Sequence, residues 1–289
     1  MDAFPSPTRT WHTTAYEAIS PTRPELSAKG KRVVITGGGI GIGVEVTRAF
    51  AKAGAPVIGI LGRTEAALVE TKAKVEAEFR ATKVVVLQAD LLDEGAVTRA
   101  LRGFSEAEGL IDVFVHNAGY LPDFEVVRDA DVDGWWRSYE VNVKGSLIAA
   151  KAFLPLAAPN AVLIASGSAA SALVVPKASA YVSAKFAESR FFEFVQVENP
   201  HIRVHNIHPG TIATRMMDKT RAAGYEFPED DVSLPAAFTV WVASPEAAFT
   251  KGKYLWCNWD VEELREQRER ILETDYLTIG YINGWPFQG

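Results

Sequence analysis

The residues best suited to chemistry in this chain are Tyr181 and Lys185, in the run Tyr181-Val-Ser-Ala-Lys185. In a helix, side chains four residues apart lie on one face, a turn from each other. An ammonium held beside a phenol favours the phenolate, so the phenol trades its proton closer to neutrality. Such a group serves as general acid or base toward a carbonyl or an alcohol. The same spacing also occurs on ordinary surface helices. Its meaning therefore depends on what the rest of the chain brings near it.

The chain that must position this pair has 289 residues, 48% of them hydrophobic, enough for one substantial core. Its net charge is -6 and it has no dense Lys/Arg cluster, which argues against a nucleic-acid partner. The single cysteine, Cys257, cannot form an internal disulfide and reads as a small buried residue. No zinc or iron–sulfur spacing is present, so no metal is expected, and a reducing, cytoplasmic compartment is the expectation. Residues 1–8 lack a basic stretch followed by an apolar run, so no secretory signal is read there. The longest uncharged stretch, between Lys151 and Lys177, is interrupted by Pro155, Pro159 and Asn160, and no membrane span is expected.

Strand and helix signals alternate along the chain. Residues 1–30 are Pro-, Thr- and Ser-rich and read as an extended surface arm, with Trp11 and Tyr16 packed against the body. Residues 31–36 form a strand, 37–43 a glycine turn and 44–54 a helix. In that context Gly37, Gly41 and Gly43 let the backbone approach a pyrophosphate, which the free N–H groups at the helix start can bind. A second strand over 56–62 ends at Gly62-Arg63. An acid there would bind a ribose 2′-hydroxyl; the arginine suits a 2′-phosphate instead, favouring NADP(H), with NAD(H) possible. Further strands are expected over 83–89, 111–116, 160–165, 201–207 and 253–256. Helices are expected over 64–79, 93–107, 129–156, 176–197 and 234–243, and a mobile, substrate-covering lid over 211–231. The alternation predicts an α/β fold: a Rossmann-like three-layer α/β/α sandwich with a mainly parallel, seven-stranded sheet. The glycine turn, Arg63, Asn117 and Ser168 each follow a predicted strand, so they gather at one sheet edge.

Taken together these residues resemble the classical short-chain dehydrogenase/reductase family over about residues 30–257. The glycine turn from Thr36 through Gly37, Gly39, Ile40, Gly41, Ile42 and Gly43 matches its cofactor loop. Asn117-Ala118-Gly119 matches its strand-four motif, and Asn142 its helix asparagine. Tyr181 and Lys185 match its Tyr-x-x-x-Lys pair, with Ser168 at the usual serine spacing and Ser166 and Ser171 as minor rivals. Pro209, Gly210, Ile212 and Thr214 match the segment beside the nicotinamide, while Asp90 and Leu91 fall near the adenine.

The resemblance implies that Tyr181 is the proton donor in reduction and acceptor in oxidation. Lys185 would assist it and hold the nicotinamide ribose, Ser168 would bind the substrate oxygen, and Asn142 would hold a water linking Lys185 to solvent. It also implies a small-molecule carbonyl or alcohol substrate and a homodimer or homotetramer, built on the helices bearing Asn142 and Tyr181. Phe191, Phe192 and Phe194 would supply aromatic area there. Arg63 matches the family's mark of NADP preference, but its second basic marker is absent and Ile40 stands in its place.

The two ends depart from the common pattern. Trp256-Cys-Asn-Trp-Asp260 replaces the usual ending, and a charged helix over 261–274 and a tail over 276–289 follow. With the leader, this looks like the reductases of filamentous-fungal secondary metabolism, implying a bulky polyketide-like or terpenoid-like substrate. An NAD-dependent alcohol dehydrogenase, a cofactor-retaining epimerase or cyclase, and a non-catalytic nucleotide-binding module are the alternatives. His116 reads as packed or cofactor-adjacent rather than as a base, and His205 and His208 as flanking a strand near the site.

Overall fold

Apolar residues alternating at a period of two build the centre of the molecule. In β1 (Arg32–Thr36), β2 (Val57–Gly62), β4 (Ile111–His116) and β5 (Ala157–Ser166), Val33, Ile35, Ile58, Ile60, Val115 and Ile164 face one apolar cluster. Val34, Val57, Leu61, Phe114 and Leu163 face a second cluster on the opposite side. Strands buried on both faces are those of a parallel sheet covered by helices. With β3 (Lys83–Gln88), β6 (Arg203–His208) and β7 (Tyr254–Trp256), they form a seven-stranded sheet in the order β3-β2-β1-β4-β5-β6-β7. Every pairing is parallel. The computed structural model describes residues 6–280; the first five residues and the end of the expected tail, Trp285 included, lie outside the described residues.

Helices α1 (Ile42–Lys52), α2 (Glu65–Glu78) and α8 (Ser233–Ala243) cover the first face through Phe50, Leu68 and Trp241. Helices α3 (Glu94–Glu108), α5 (Gly145–Phe153) and α6 (Ser179–Glu198) cover the second through Leu101, Phe153 and Phe192. The chain reverses its winding between β1 and β4, which opens a crevice at the carboxyl ends of the strands.

Three expectations change. The single helix over 129–156 is instead α4 (Val132–Tyr139), a π-helical turn (Glu140–Lys144), α5 and a 3-10 turn (Leu154–Leu156) that carries Pro155. The wide turn forms where Asn142 turns its amide to the backbone of Tyr120. The charged helix over 261–274 is two helices, α9 (Val261–Glu266) and α10 (Arg268–Glu273), parted at Gln267, whose amide donates to Pro7 O. The N-terminal segment carries two 3-10 turns (Glu17–Ile19 and Pro24–Leu26) rather than staying extended, and it sinks Ile19 and Leu26 into the core. Trp11 bridges Trp259, and the Tyr16 hydroxyl donates to Trp259 O. Phe192 lies inside the second core cluster, whereas Phe186, Phe194 and Val197 of α6 are exposed.

Candidate active site

The glycine turn can hold no larger residues. Gly37 (φ +71°) and Gly41 (φ +55°) take backbone conformations that side chains disfavour. A Cβ on Gly43 would stand 2.2 Å from the Gly37 carbonyl oxygen, so the turn folds onto itself at the head of α1. Gly41 caps that helix without a side chain, leaving the first-turn amides directed at whatever anion enters the turn. Thr36 ties this turn to the end of β4: its hydroxyl accepts from the amides of Asn117 and Ala118 at 3.1 Å each, and its carbonyl accepts from Asn117 Nδ2. Ile40 is exposed at the tip, and Ile42 packs against the core. Thr214 reaches back over the turn, its Cγ2 3.4 Å from where a Gly41 Cβ would be. This cradle fits a dinucleotide's pyrophosphate.

Arg63 stands past the end of β2 with its guanidinium largely in solvent, 4.0 Å from the Asp90 carboxylate beyond β3. Asp90 Oδ1 accepts from the Leu92 amide, which fixes the turn that presents its backbone. Leu91 is buried against Gly145 at the head of α5.

Lys185, on α6, is buried, and its Nζ donates to Ser166 O at 3.0 Å, tying the helix to the end of β5. Tyr181 lies one turn earlier with its hydroxyl 3.7 Å from Met216 Sδ. Gly119 lies close to Asn142 and Lys185: a Cβ there would sit 3.3 Å from Asn142 Oδ1 and 3.5 Å from Lys185 Nζ. Asn142 spends its whole side chain on structure. Its Nδ2 donates to Tyr120 O and Ser138 Oγ, and its Oδ1 accepts from Tyr120 N. Its carbonyl accepts from Ser146 Oγ at 2.6 Å. The Ser168 hydroxyl accepts from the Ala170 amide, which leaves its own proton available to a ligand. Ser171 is committed elsewhere, donating to Ser168 O at 2.7 Å. Asn142, Lys185 and Ser166 thus gather in one small volume, with Ser168 and Tyr181 at its border.

A family profile described as short chain dehydrogenase matches residues 31–224. The chain belongs to this family. A short chain dehydrogenase/reductase of Aspergillus novofumigatus is 32% identical over 293 residues, covering 98% of this chain and 99% of the relative. Among solved structures, an NADPH-dependent 3-quinuclidinone reductase from Rhodotorula rubra superposes with a TM-score of 0.73 at 25% identity, over 86% of this chain and 95% of that one. A short chain dehydrogenase of Burkholderia cenocepacia in complex with NADP gives a TM-score of 0.72 at 25% identity, over 81% and 99%. The chain is accordingly an NAD(P)-dependent oxidoreductase of the short-chain type.

In this short chain dehydrogenase three residues outside the motifs shape the site. Tyr254, on β7, is buried. Its hydroxyl donates to Ser168 O at 2.7 Å and accepts from Ser168 N at 2.9 Å, clamping the serine from both sides. Burial pushes the Tyr254 hydroxyl far up, so it stays protonated. His208, at the end of β6, accepts the Ala169 amide at Nδ1 and holds the same loop. Burial depresses His208, His205 and His116 to about 3, which keeps all three neutral and rules them out as bases near neutral pH. Glu188 is the third residue, spaced three after Lys185 in a run of small and aromatic residues, which is the one sequence signal it gave.

The segment over 211–231 contains α7 (Arg215–Ala222), capped by Thr214. Asp230 closes its base, accepting from the Thr211 amide and from Asn258 Nδ2. Gly210 (φ +78°) passes so close to Asp230 that a Cβ would meet its carboxylate at 2.5 Å, and Ile212 is buried at the bridge to Asp230. Further out, Lys219 reaches Asp123, and the Tyr225 hydroxyl donates to Pro176 O. A cavity of about 410 Å³ lies away from these groups, between the N-terminal arm, α1 and α8. Among the described residues no helix is long and apolar enough to cross a membrane, and no His, Cys, Asp and Glu cluster could hold a metal ion.

Proposed function

We propose that this enzyme interconverts a ketone and a secondary alcohol on a bulky substrate, using NADP(H), with Tyr181 as the acid in reduction and the base in oxidation. One observation carries the reading: Lys185 and Asn142 converge on Gly119, at the edge where the glycine cradle ends. When bound, the nicotinamide supplies or accepts the hydride. Tyr181 gives its proton to the carbonyl oxygen as the alcohol forms. Ser168, steadied by Tyr254, donates a hydrogen bond to the same oxygen. Lys185 favours loss of the phenol proton and offers Nζ to the ribose hydroxyls. Asn142 acts through its backbone carbonyl, since both Nδ2 protons are engaged and Oδ1 already holds the Tyr120 amide.

Arg63 supports the choice of NADP(H), because its exposed guanidinium stands where a 2′-phosphate would lie and no acid occupies the end of β2. The Rhodotorula enzyme is NADPH-dependent and the Burkholderia enzyme holds NADP, which agrees with that choice. A bulky, apolar substrate agrees with a segment over 211–231 that sets Met216 against Tyr181. The relatives are fungal, in keeping with a secondary-metabolite substrate. The exposed Phe186, Phe194 and Val197 on α6 agree with a homodimer or homotetramer.

Titrating tryptophan fluorescence with NADPH and NADH tests the cofactor assignment. Tighter NADPH binding, with most of the preference lost in Arg63→Ala, is expected. Equal or tighter NADH binding would remove the role given to Arg63.

A further inference from the structure

Glu188 is among the most deeply buried ionisable groups in the molecule, and the chemistry outlined above makes no use of it. Its side chain is 1% exposed and that of Lys185 is 3% exposed, with Nζ and Oε2 2.7 Å apart. The ammonium and the carboxylate meet at hydrogen-bond distance, and Nζ also donates to Ser166 O. The other oxygen, Oε1, lies 2.9 Å from Ser146 Oγ, whose single proton it shares as a target with the Asn142 carbonyl and His116 Nε2.

The groups facing the Glu188 carboxyl come from four elements. On its own helix α6 stand Lys185 and, one turn further, Tyr181. From α5 comes the neutral Ser146 hydroxyl. From the end of β4 comes His116, with Nε2 3.7 Å away and held neutral by burial and by Lys185. From β7 comes Tyr254, buried and protonated. Lys185 is therefore the one full positive charge that Glu188 meets. A buried ion pair is a weak source of stability, since removing two charges from water costs about as much as their attraction returns. The fold gives no reason for a carboxylate here; the lysine does.

We propose that Glu188 is the internal counter-ion of Lys185, a positioning residue that holds Nζ and tempers the pull of the ammonium on the Tyr181 proton. Lys185 alone presents a bare positive charge to the phenol. Lys185 with Glu188 presents a dipole with no net charge, whose effect on Tyr181 is smaller and set by geometry. Burial works against the charge on Lys185, and Glu188 with Tyr181 restores it, so the lysine holds its proton more firmly than usual. Burial also pushes Glu188 up, against the opposing influence of Lys185 and Ser146. The two groups therefore titrate as a unit. The inference rests on the reading of Tyr181 and Lys185 as an acid–base pair.

Tyrosinate absorbance, followed against pH and corrected by subtracting the Tyr181→Phe protein, reports the Tyr181 titration without any substrate. It is to be measured for the wild type, Lys185→Met and Glu188→Gln, with circular dichroism confirming the fold. Glutamine keeps an acceptor for Nζ and for Ser146, so a merely structural role leaves the midpoint where it was. The expected result is a midpoint lowered by about one pH unit in Glu188→Gln and raised in Lys185→Met. An unchanged or raised midpoint in Glu188→Gln, with Lys185→Met still raising it, overturns the counter-ion role alone. No response to either substitution overturns the Tyr–Lys reading and the inference with it. Should Glu188→Gln not fold, Glu188→Asp draws the charge back by one methylene and is expected to lower the midpoint by less; no fall there contradicts the proposal equally.

Discussion

In the proposed reaction the chemistry turns on Tyr181 and Ser168, and each touches a neighbour that takes no part in it. Replacing Tyr181 with Phe removes the proton donor while keeping the ring, and turnover is expected to fall about 100-fold or more in steady-state assays. Tyr254→Phe leaves both catalytic side chains in place but removes the hydroxyl that grips Ser168 N and O. A half-buried amide then loses its acceptor, at a cost of about 1 kcal/mol in denaturant unfolding. Unfolding identical to the wild type would show that Tyr254 does not anchor the loop. The proposed site is read in the sequence from spacing: Tyr181 with Lys185, Ser168 thirteen residues earlier, Asn117-Ala-Gly119 after a strand. Tyr254, His208 and Met216 carried no such signal. They act from other strands and segments, and only the sheet order β5-β6-β7 and the fold of the segment over 211–231 bring them to Ser168 and Tyr181.

At the scale of elements, the glycine turn and the helices behind it explain both what could be read and what could not. The strands β1, β2 and β4 were visible as short β-branched or apolar runs, because burial on both faces leaves no polar alternation to confuse the pattern. The break between α4 and α5 was not visible, since the run around Asn142 has ordinary helical composition and the π turn is driven by a tertiary bond to Tyr120. The turn itself gives a sharp test. A methyl group on Gly43 would overlap the Gly37 carbonyl, so Gly43→Ala is expected to weaken dinucleotide binding at least about ten-fold in fluorescence titrations. Unchanged affinity would mean that the head of α1 does not shape the cofactor site. The segment over 211–231 is held at its base by Asp230. Asp230→Ala should free it, raising KM for substrate more than it lowers kcat; an unaltered KM would deny it a covering role.

Across the whole molecule, burial sets the response to acid. His116, His205 and His208 are held to about 3 in the folded chain against an ordinary value of 6.5. Between those values the unfolded chain binds more protons than the folded one, so stability is complete above about pH 6.5 and is lost as pH falls below it. Each histidine contributes a loss of up to about 1.4 kcal/mol per pH unit. Glu188, pushed up by burial, binds its proton more tightly when folded and offsets part of this. Denaturant midpoints should therefore drop steeply from about pH 7 to pH 5, and a flat profile would contradict the burial of neutral histidines. The glycine cradle, Arg63 and the Tyr181 pair join in the one proposed reaction. The most direct test follows nicotinamide absorbance while the wild type and Tyr181→Phe proteins are offered NADPH and a panel of bulky ketones. NADPH is expected to be consumed in step with alcohol formed, and Tyr181→Phe to lose this turnover. Product formed without net loss of NADPH, or turnover preserved in Tyr181→Phe, would contradict that reaction.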